Sequence, residues 1–270
     1  MELNVQLILL EFLGGLGVVL FSIKMMSRKK SVVEYKPKHL DPIFIKQSPS
    51  IALGQAKEEI LRMGQFAVRG LEETSHFLMA KHKKFADSAN EIVGTINHLD
   101  RNITDYLDDL TTSPLSGQDS EEHTSLLKIE RDIKRIGDHF ASIIELVEYQ
   151  LAGKVIMTDA ALDDLKEMFS LTIDAVQDSL RALDQNDEKA AQHVVQNKEE
   201  IGKLERTLRK QHILRLNEGL CSRNAGIVYA EILSSLERIR AHAVYIAETV
   251  LGKYSKNSQA PAISIFEKGS

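Results

Sequence analysis

One apolar pattern occurs twice in this chain and restricts its fold more than any other feature. From Ile129 to Val147, branched and aromatic side chains recur at steps of three and four, which is the period of a helix with one buried side. The stretch from Leu236 to Ile246 has the same spacing about a hundred residues later. The matched pairs are Arg135 with Arg238, Ile136 with Ile239, His139 with His242 and Ile143 with Ile246. The repetition indicates that the chain is built twice from one helical unit.

The rest of the sequence extends this unit to three helices in each half. No proline lies between Leu115 and Ala260, so long helices are uninterrupted there. Short polar loops between amphipathic helices are typical of antiparallel neighbours. We therefore predict an all-α fold of two tandem antiparallel three-helix bundles, at 50–153 and 154–252, followed by a flexible tail at 253–270. The helices are expected at about 50–83, 87–110, 121–151, 159–184, 187–217 and 224–251.

The N-terminal segment is apolar and is expected to precede the bundles as one transmembrane helix. Leu7 to Met26 is long enough for a helix to cross a bilayer core of about 30 Å. The basic cluster at 28–30 follows it, and the positive-inside rule then places the C-terminal side in the cytoplasm. The predicted location is the bacterial inner membrane, with residues 1–30 as a single-pass helix and its basic flank. Residues 31–49 contain three prolines and are expected to form a linker.

Composition excludes several classes of function. The net charge is −5 and the sequence pI is about 6.0, which does not fit nucleic-acid binding. Cys221 is the single cysteine, so neither an intrachain disulfide nor a multi-cysteine zinc site can form. The sequence contains no phosphate-binding glycine loop after a strand and no metalloprotease motif. These features predict that the protein is not an enzyme.

The repeated helices resemble a known family. The segments 135–139 and 237–243 look like the repeated E-R-I-G-D-H-A motif of PhoU-like proteins, which are tandem three-helix bundles associated with phosphate uptake and its regulation. Leu40–Pro42, Pro49–Ala56, Arg62–Gly64 and Ile103–Leu107 are similar to the PhoU-like C-terminal domain of the bacterial sodium/phosphate cotransporter family. The segment 12–26 is similar to the first membrane helix of that family. The resemblance implies a first membrane helix joined directly to the regulatory domain, or a truncated form of a longer transporter.

The same resemblance implies a metal site that this sequence has mostly lost. PhoU-like proteins can hold iron or zinc clusters with carboxylates at positions i and i+4 of one helix, which lie on the same helix face. Here each motif copy keeps one carboxylate, Asp138 in the first and Glu237 in the second. The family carboxylates are replaced at Asn97, Lys134, Gly202 and Ala241. We therefore expect no cofactor, with Asp138 and Glu237 as remnants of the site.

These observations predict a membrane-anchored regulatory or adaptor protein linked to sodium-dependent phosphate transport. It would bind a membrane transporter or a signalling protein through helix faces. Two alternatives stay open: a component of a transport complex that packs with a separate membrane domain, and a metal-binding PhoU-like protein. The sequence also leaves open a homodimer. The predicted interaction face consists of Lys134, Arg135, Asp138, His139, Glu237, Arg238 and His242.

Overall fold

The computed structural model describes residues 37–252, and this part of the chain consists of α-helices without a strand. The predicted membrane span Leu7 to Met26 and the predicted tail lie outside the described residues. The all-α prediction is confirmed for the described part. The helices are α1 Ile43–Gln47, α2 Pro49–Ala80, α3 Lys83–Leu110, α4 Gly117–Ala152, α5 Asp159–Gln185, α6 Glu188–Gln196, α7 Lys198–Asn217 and α8 Arg223–Val250.

Polar side chains define where the long helices begin. The Ser116 hydroxyl accepts a hydrogen bond from the backbone N–H of Asp119, and the Asp119 carboxylate accepts one from the Ser116 N–H, so α4 begins with a capping box. The hydroxyls of Thr158 and Ser222 cap α5 and α8 by accepting from the N–H groups of Ala161 and Ala225. Asn186 ends α5 in the left-handed conformation that asparagine tolerates. Side-chain caps therefore mark the N-termini of most of the described helices.

The repeated apolar pattern lies in the core, as predicted. Ile133, Ile136 and Phe140 of α4 are fully buried, and so are Leu236 and Ile239 of α8. Within the first half, α2 packs along α3 and α4, and within the second half, α8 packs along α5, α6 and α7. The two halves also pack directly on each other, α4 against α8 and α2 against α5. Residues of both halves thus share one core, and the boundary at 153/154 stays a prediction from the sequence.

Two elements differ from the sequence prediction. The expected helix at 187–217 is divided at Asn197 into α6 and α7. Hydrogen bonds continue through this residue, because its N–H donates to the carbonyl of His193 (3.1 Å) and its carbonyl accepts from Ile201 (3.2 Å). Within the predicted linker, residues 43–47 form the short helix α1, whose Ile45 is buried. The chain is therefore already packed before α2 begins.

A buried carboxylate holds the segment before α1 against α2. Glu59 of α2 has no exposed surface, and its Oε1 accepts hydrogen bonds from the backbone N–H groups of Lys38 (2.5 Å) and His39 (3.0 Å). Arg62 donates to both of its oxygens, at 3.2 and 2.9 Å. The Tyr106 hydroxyl of α3 donates to the Gln55 side chain at 2.8 Å. A buried charge is tolerated where it is paired and hydrogen-bonded in this way.

The helices of residues 37–252 are amphipathic. None of them combines the length and the apolar composition that crossing a bilayer requires.

Candidate functional site

The two copies of the motif meet where α4 packs against α8. The imidazole rings of His139 and His242 are stacked, with centroids 5.5 Å apart and planes at 27°. The Nδ1 of His242 also lies 2.8 Å from Oδ1 of Asp132, where the ring N–H donates to the carboxylate. The structure therefore brings the matched histidines together. The sequence placed them on two helices but did not show that these helices bring the rings into contact.

The environments of the two histidines differ because the repeat is imperfect. At the spacing that pairs His139 with His242, Asp132 is matched by Ser235, so the carboxylate occurs in one copy only. Burial lowers the pKa of His139, and the nearby His242 and Arg238 lower it further. His139 is therefore neutral at physiological pH. Its neighbour His242 is hydrogen-bonded to the Asp132 carboxylate.

The remaining carboxylates of the metal motif are already paired with cations. Asp138 accepts a charge-assisted hydrogen bond from Lys134, and Arg135 lies 3.6 Å from its second oxygen. Glu237 accepts from Arg240 at 3.1 Å. Both pairs are short-range contacts along one helix. Neither carboxylate is free to approach a metal ion without losing its cation.

No group of three or more histidine, cysteine, aspartate or glutamate side chains within residues 37–252 is placed to hold a metal ion. Among the positions where family carboxylates are replaced, the backbone carbonyl of Asn97 accepts a hydrogen bond from the Arg101 side chain. Gly202 lies on the wall of a groove between α7 and α8. The expectation that this protein has no metal cluster stays a prediction. It rests on the residue types and on the pairing of Asp138 and Glu237.

A carboxyl pair close to Lys134, in which Glu130 is buried and Asp100 is half-buried, was missed by the sequence reasoning. Glu130 of α4 is only 4% exposed and forms a side-chain hydrogen bond with Asp100 of α3. Burial raises the pKa of Glu130 to about 9, and the hydrogen bond and negative charge of Asp100 add to the effect. The sequence signal for burial of Glu130 was its position next to Ile129, a member of the buried apolar pattern. At neutral pH this carboxyl holds a proton.

The second overlooked feature is an open groove of about 920 Å³ between α7 and α8. Glu237 and Arg238 of the predicted interaction face lie on its wall, together with Gly202 and the buried Arg240. Six basic and three acidic side chains line it. In the repeat, Arg240 occupies the position of Gly137, and this exchange is the sequence signal that could have revealed the groove.

Comparison with curated proteins finds relatives over about three quarters of the chain. A homologue from Thermotoga maritima, the phosphate-specific transport system accessory protein PhoU homolog 1, is 24% identical over 202 residues, covering 75% of this chain and 79% of the relative. A homologue from Xylella fastidiosa with a corresponding name is 27% identical over 199 residues, covering 74% of this chain and 82% of the relative.

Solved structures share the fold. The crystal structure of PhoU from Pseudomonas aeruginosa superimposes with a TM-score of 0.71 at 21% identity, covering 76% of this chain and 97% of that chain. The phosphate transport system regulatory protein PhoU from Streptococcus pneumoniae gives a TM-score of 0.68 at 22% identity, covering 77% and 98%. At this identity the likeness establishes a common fold.

The curated relatives correct the predicted location. The proteins that this chain resembles over most of its length are named as accessory proteins of a transport system, and neither name describes a membrane-spanning protein. The prediction of a single-pass protein of the bacterial inner membrane is therefore wrong. It rested on the apolar composition of Leu7 to Met26, and apolar length by itself does not distinguish a membrane helix from other apolar segments.

The strongest comparison concerns the repeat itself. The sequence pattern of the PhoU domain matches residues 60–147 and again residues 165–250, which together make up more than half of the chain. Each match lies within one of the two halves that the apolar repeat predicted. The chain belongs to the PhoU domain family.

Proposed function

We propose that this protein is a regulatory accessory protein of a phosphate transport system and that it acts by binding other proteins. The observation that carries the proposal is the PhoU domain match in both halves, joined to a motif whose metal-type carboxylates are replaced or paired. The relatives are named for a phosphate-specific transport system. Because the apolar side of the motif is intact and its ligand side is not, the charged surface is suited to protein contacts.

The proposed contact surface is the predicted interaction face on α4 and α8. Arg135 and Arg238 are exposed on it, while Asp138 and Glu237 keep negative charge beside them. Mixed charges of this kind steer association and give specificity. A membrane transporter or a signalling protein with a complementary surface is the proposed partner.

We further propose that the regulated uptake is coupled to sodium. The support is the resemblance of Leu40–Pro42 and Pro49–Ala56 to the corresponding segments of the sodium/phosphate cotransporter family. In this structure these residues belong to the packed segment that Glu59 and Tyr106 hold together. The resemblance thus concerns a structured part of the molecule.

Uptake of labelled phosphate in the native bacterium tests the function. Deletion of the gene is expected to leave uptake high in phosphate-replete cells, and replacing sodium by choline is expected to remove that excess. Loss of all uptake on deletion would instead indicate a transport component that packs with a separate membrane domain. Excess uptake that persists in choline would contradict the coupling to sodium. Unchanged uptake in both phosphate conditions would overturn the regulatory role.

The contact surface is tested by Arg135→Glu. Arg135 is 61% exposed and pairs with an aspartate three residues away, and Arg181 on α5 is 58% exposed with the same kind of pair. We expect Arg135→Glu to reproduce the deletion phenotype, because reversing the charge opposes the partner surface. Arg181→Glu is the matched control and should behave as wild type. Equal effects of the two variants would show that the face has no specific role.

The absence of a resident metal cluster is a proposal with a direct measurement. Elemental analysis of the purified protein is expected to find iron and zinc well below one ion per chain, because Lys134 and Arg240 hold the remaining carboxylates. Lys134→Glu combined with Asn97→Asp restores the carboxylate types of the first copy and is expected to raise the metal content. Stoichiometric iron or zinc in the wild-type protein would support the metal-binding alternative.

A further inference from the structure

The groove between α7 and α8 has a charge opposite to that of the whole chain. The chain carries a net charge of −5, but six basic side chains face three acidic ones in this groove. Concave surfaces lined by one sign of charge concentrate the field and attract small ions of the opposite sign. The basic side chains are Lys198, Lys203, Arg206, Arg209, Arg238 and Arg240.

Two of the acidic side chains are already neutralised inside the groove. Glu205 accepts from Arg209 at 2.6 Å, and Glu237 accepts from Arg240 at 3.1 Å. Within residues 37–252, no carboxylate forms an ion pair with Arg206 or with Arg238, and both are exposed. The positive charge of the groove is therefore available to a ligand.

Arg240 supplies a buried and incompletely satisfied donor. Its side chain is only 6% exposed, and its Nε has no hydrogen-bond partner in the described part of the chain. Its two terminal nitrogens are held by the Glu237 carboxylate and, at 3.5 Å, by the carbonyl of Lys198. The buried guanidinium adds a fixed positive charge to the groove wall, and this charge attracts an anion in the groove.

The repeat explains why the groove is in the second half. At the position of Arg240, the first half has Gly137, and a Cβ added there would lie 3.3 Å from Cγ2 of Ile96. The glycine thus lets α3 approach α4 closely. Arginine at the matched position reaches the carbonyl of Lys198 at the beginning of α7 (3.5 Å), and Gly202 lies on the groove wall without a side chain.

We propose that this groove binds a phosphate group, either as the free anion or as part of a small phosphorylated molecule. The planar guanidinium of arginine matches the oxygens of phosphate through paired N–H donors, and four arginines line the groove. Glu237, the metal-type carboxylate on the groove wall, is paired with Arg240, and the surplus of basic side chains favours an anion over a cation in the groove. The proposal goes beyond the regulatory function and does not depend on it.

Calorimetric titration of the purified full-length chain tests the proposal. The probes are inorganic phosphate, pyrophosphate and ATP, with sulfate as the reference anion at matched ionic strength. We expect one site per chain, with sulfate binding more weakly than the best phosphate probe. Heat with inorganic phosphate indicates the free anion, whereas heat only with pyrophosphate or ATP indicates a phosphorylated molecule. No heat with any of the three phosphate probes, or equal binding of sulfate, would overturn the proposal.

Variants locate the site. Arg206→Gln combined with Arg238→Gln removes two exposed charges from the groove and is expected to weaken binding at least about tenfold. The control combines Arg101→Gln with Arg181→Gln, which removes two exposed charges from α3 and α5, outside the groove, and should change affinity by less than about twofold. Equal weakening by both double variants would mean nonspecific attraction and would refute the site. Because this readout is binding in vitro, its failure is distinct from a failure of the uptake experiment.

Discussion

Replacing Gly70 by alanine is expected to destabilise the protein by about 3 kcal/mol. A Cβ at Gly70 of α2 would lie 2.4 Å from Cζ of Phe140 and 2.8 Å from Cε1, closer than carbon atoms can approach. The Phe140 ring is fully buried on α4, and close packing around a buried ring restricts its movement. The clash therefore separates α2 from α4. Thermal unfolding should show a decrease of roughly 5–10 °C in the midpoint.

The same helix provides the control. Nothing lies within 4 Å of a Cβ added at Gly54, so Gly54→Ala is expected to stabilise the protein by about 0.5–1 kcal/mol through helix propensity. Adding Phe140→Leu to Gly70→Ala should cost less than the sum of the two single changes, because the smaller side chain relieves the contact. If Gly70→Ala were as stable as Gly54→Ala, the close packing of α2 on α4 would be refuted.

Glu130→Gln is expected to remove a loss of stability that the wild-type protein undergoes as the pH rises. The pKa of Glu130 is raised from 4.5 to about 9 in the folded protein, by burial first and then by Asp100. Above pH 4.5 the unfolded chain releases this proton while the folded chain keeps it, so the folded state binds more protons and stability falls with increasing pH. The fall extends to about pH 9, where the folded carboxyl also ionises.

Chemical denaturation at several pH values measures the effect. At pH 8.5, Glu130→Gln should be more stable than wild type by at least about 2 kcal/mol, and the difference should become small near pH 5. Glutamine imitates the protonated carboxyl and can still donate to Asp100. Glu145→Gln, at an exposed position of the same helix, is the control and should keep the wild-type pH dependence. Parallel pH profiles for wild type and Glu130→Gln would contradict the buried protonated state.

Much of the fold could be predicted from the sequence because helix periodicity is a local property. The steps of three and four through Ile133, Ile136 and Phe140 identified the buried side of α4, and the same reasoning worked for α8. Start signals are also local, since the Thr158 hydroxyl accepts a hydrogen bond from the N–H of Ala161 at the beginning of α5. The division at Asn197 and the short helix α1 were not predicted, since neither interrupts the local pattern in a way that the sequence displays.

The candidate site was predictable in its residue types but not in its contacts. Lys134 and Asp138 are four residues apart on one helix, so their pairing follows from helix geometry. The pairing of Asp132 with His242 joins α4 to α8, and the pairing of Asp100 with Glu130 joins α3 to α4. Contacts of this second kind depend on how two helices are rotated and shifted against each other. Periodicity contains no information about that shift.

The sequence by itself determined that this chain is helical, that it is built twice from one unit, that it resembles the PhoU family and that its metal-type carboxylates are incomplete. These properties depend on residue type and spacing along one helix. Only the tertiary structure decided that the two histidines stack and that Glu130 is buried against Asp100. It also decided that Arg240 lies beside an open basic groove in the second half, whereas Gly137 at the matched position permits close packing in the first half. The physical reason is that burial and charge pairing between helices arise from the packing of side chains that are distant in sequence.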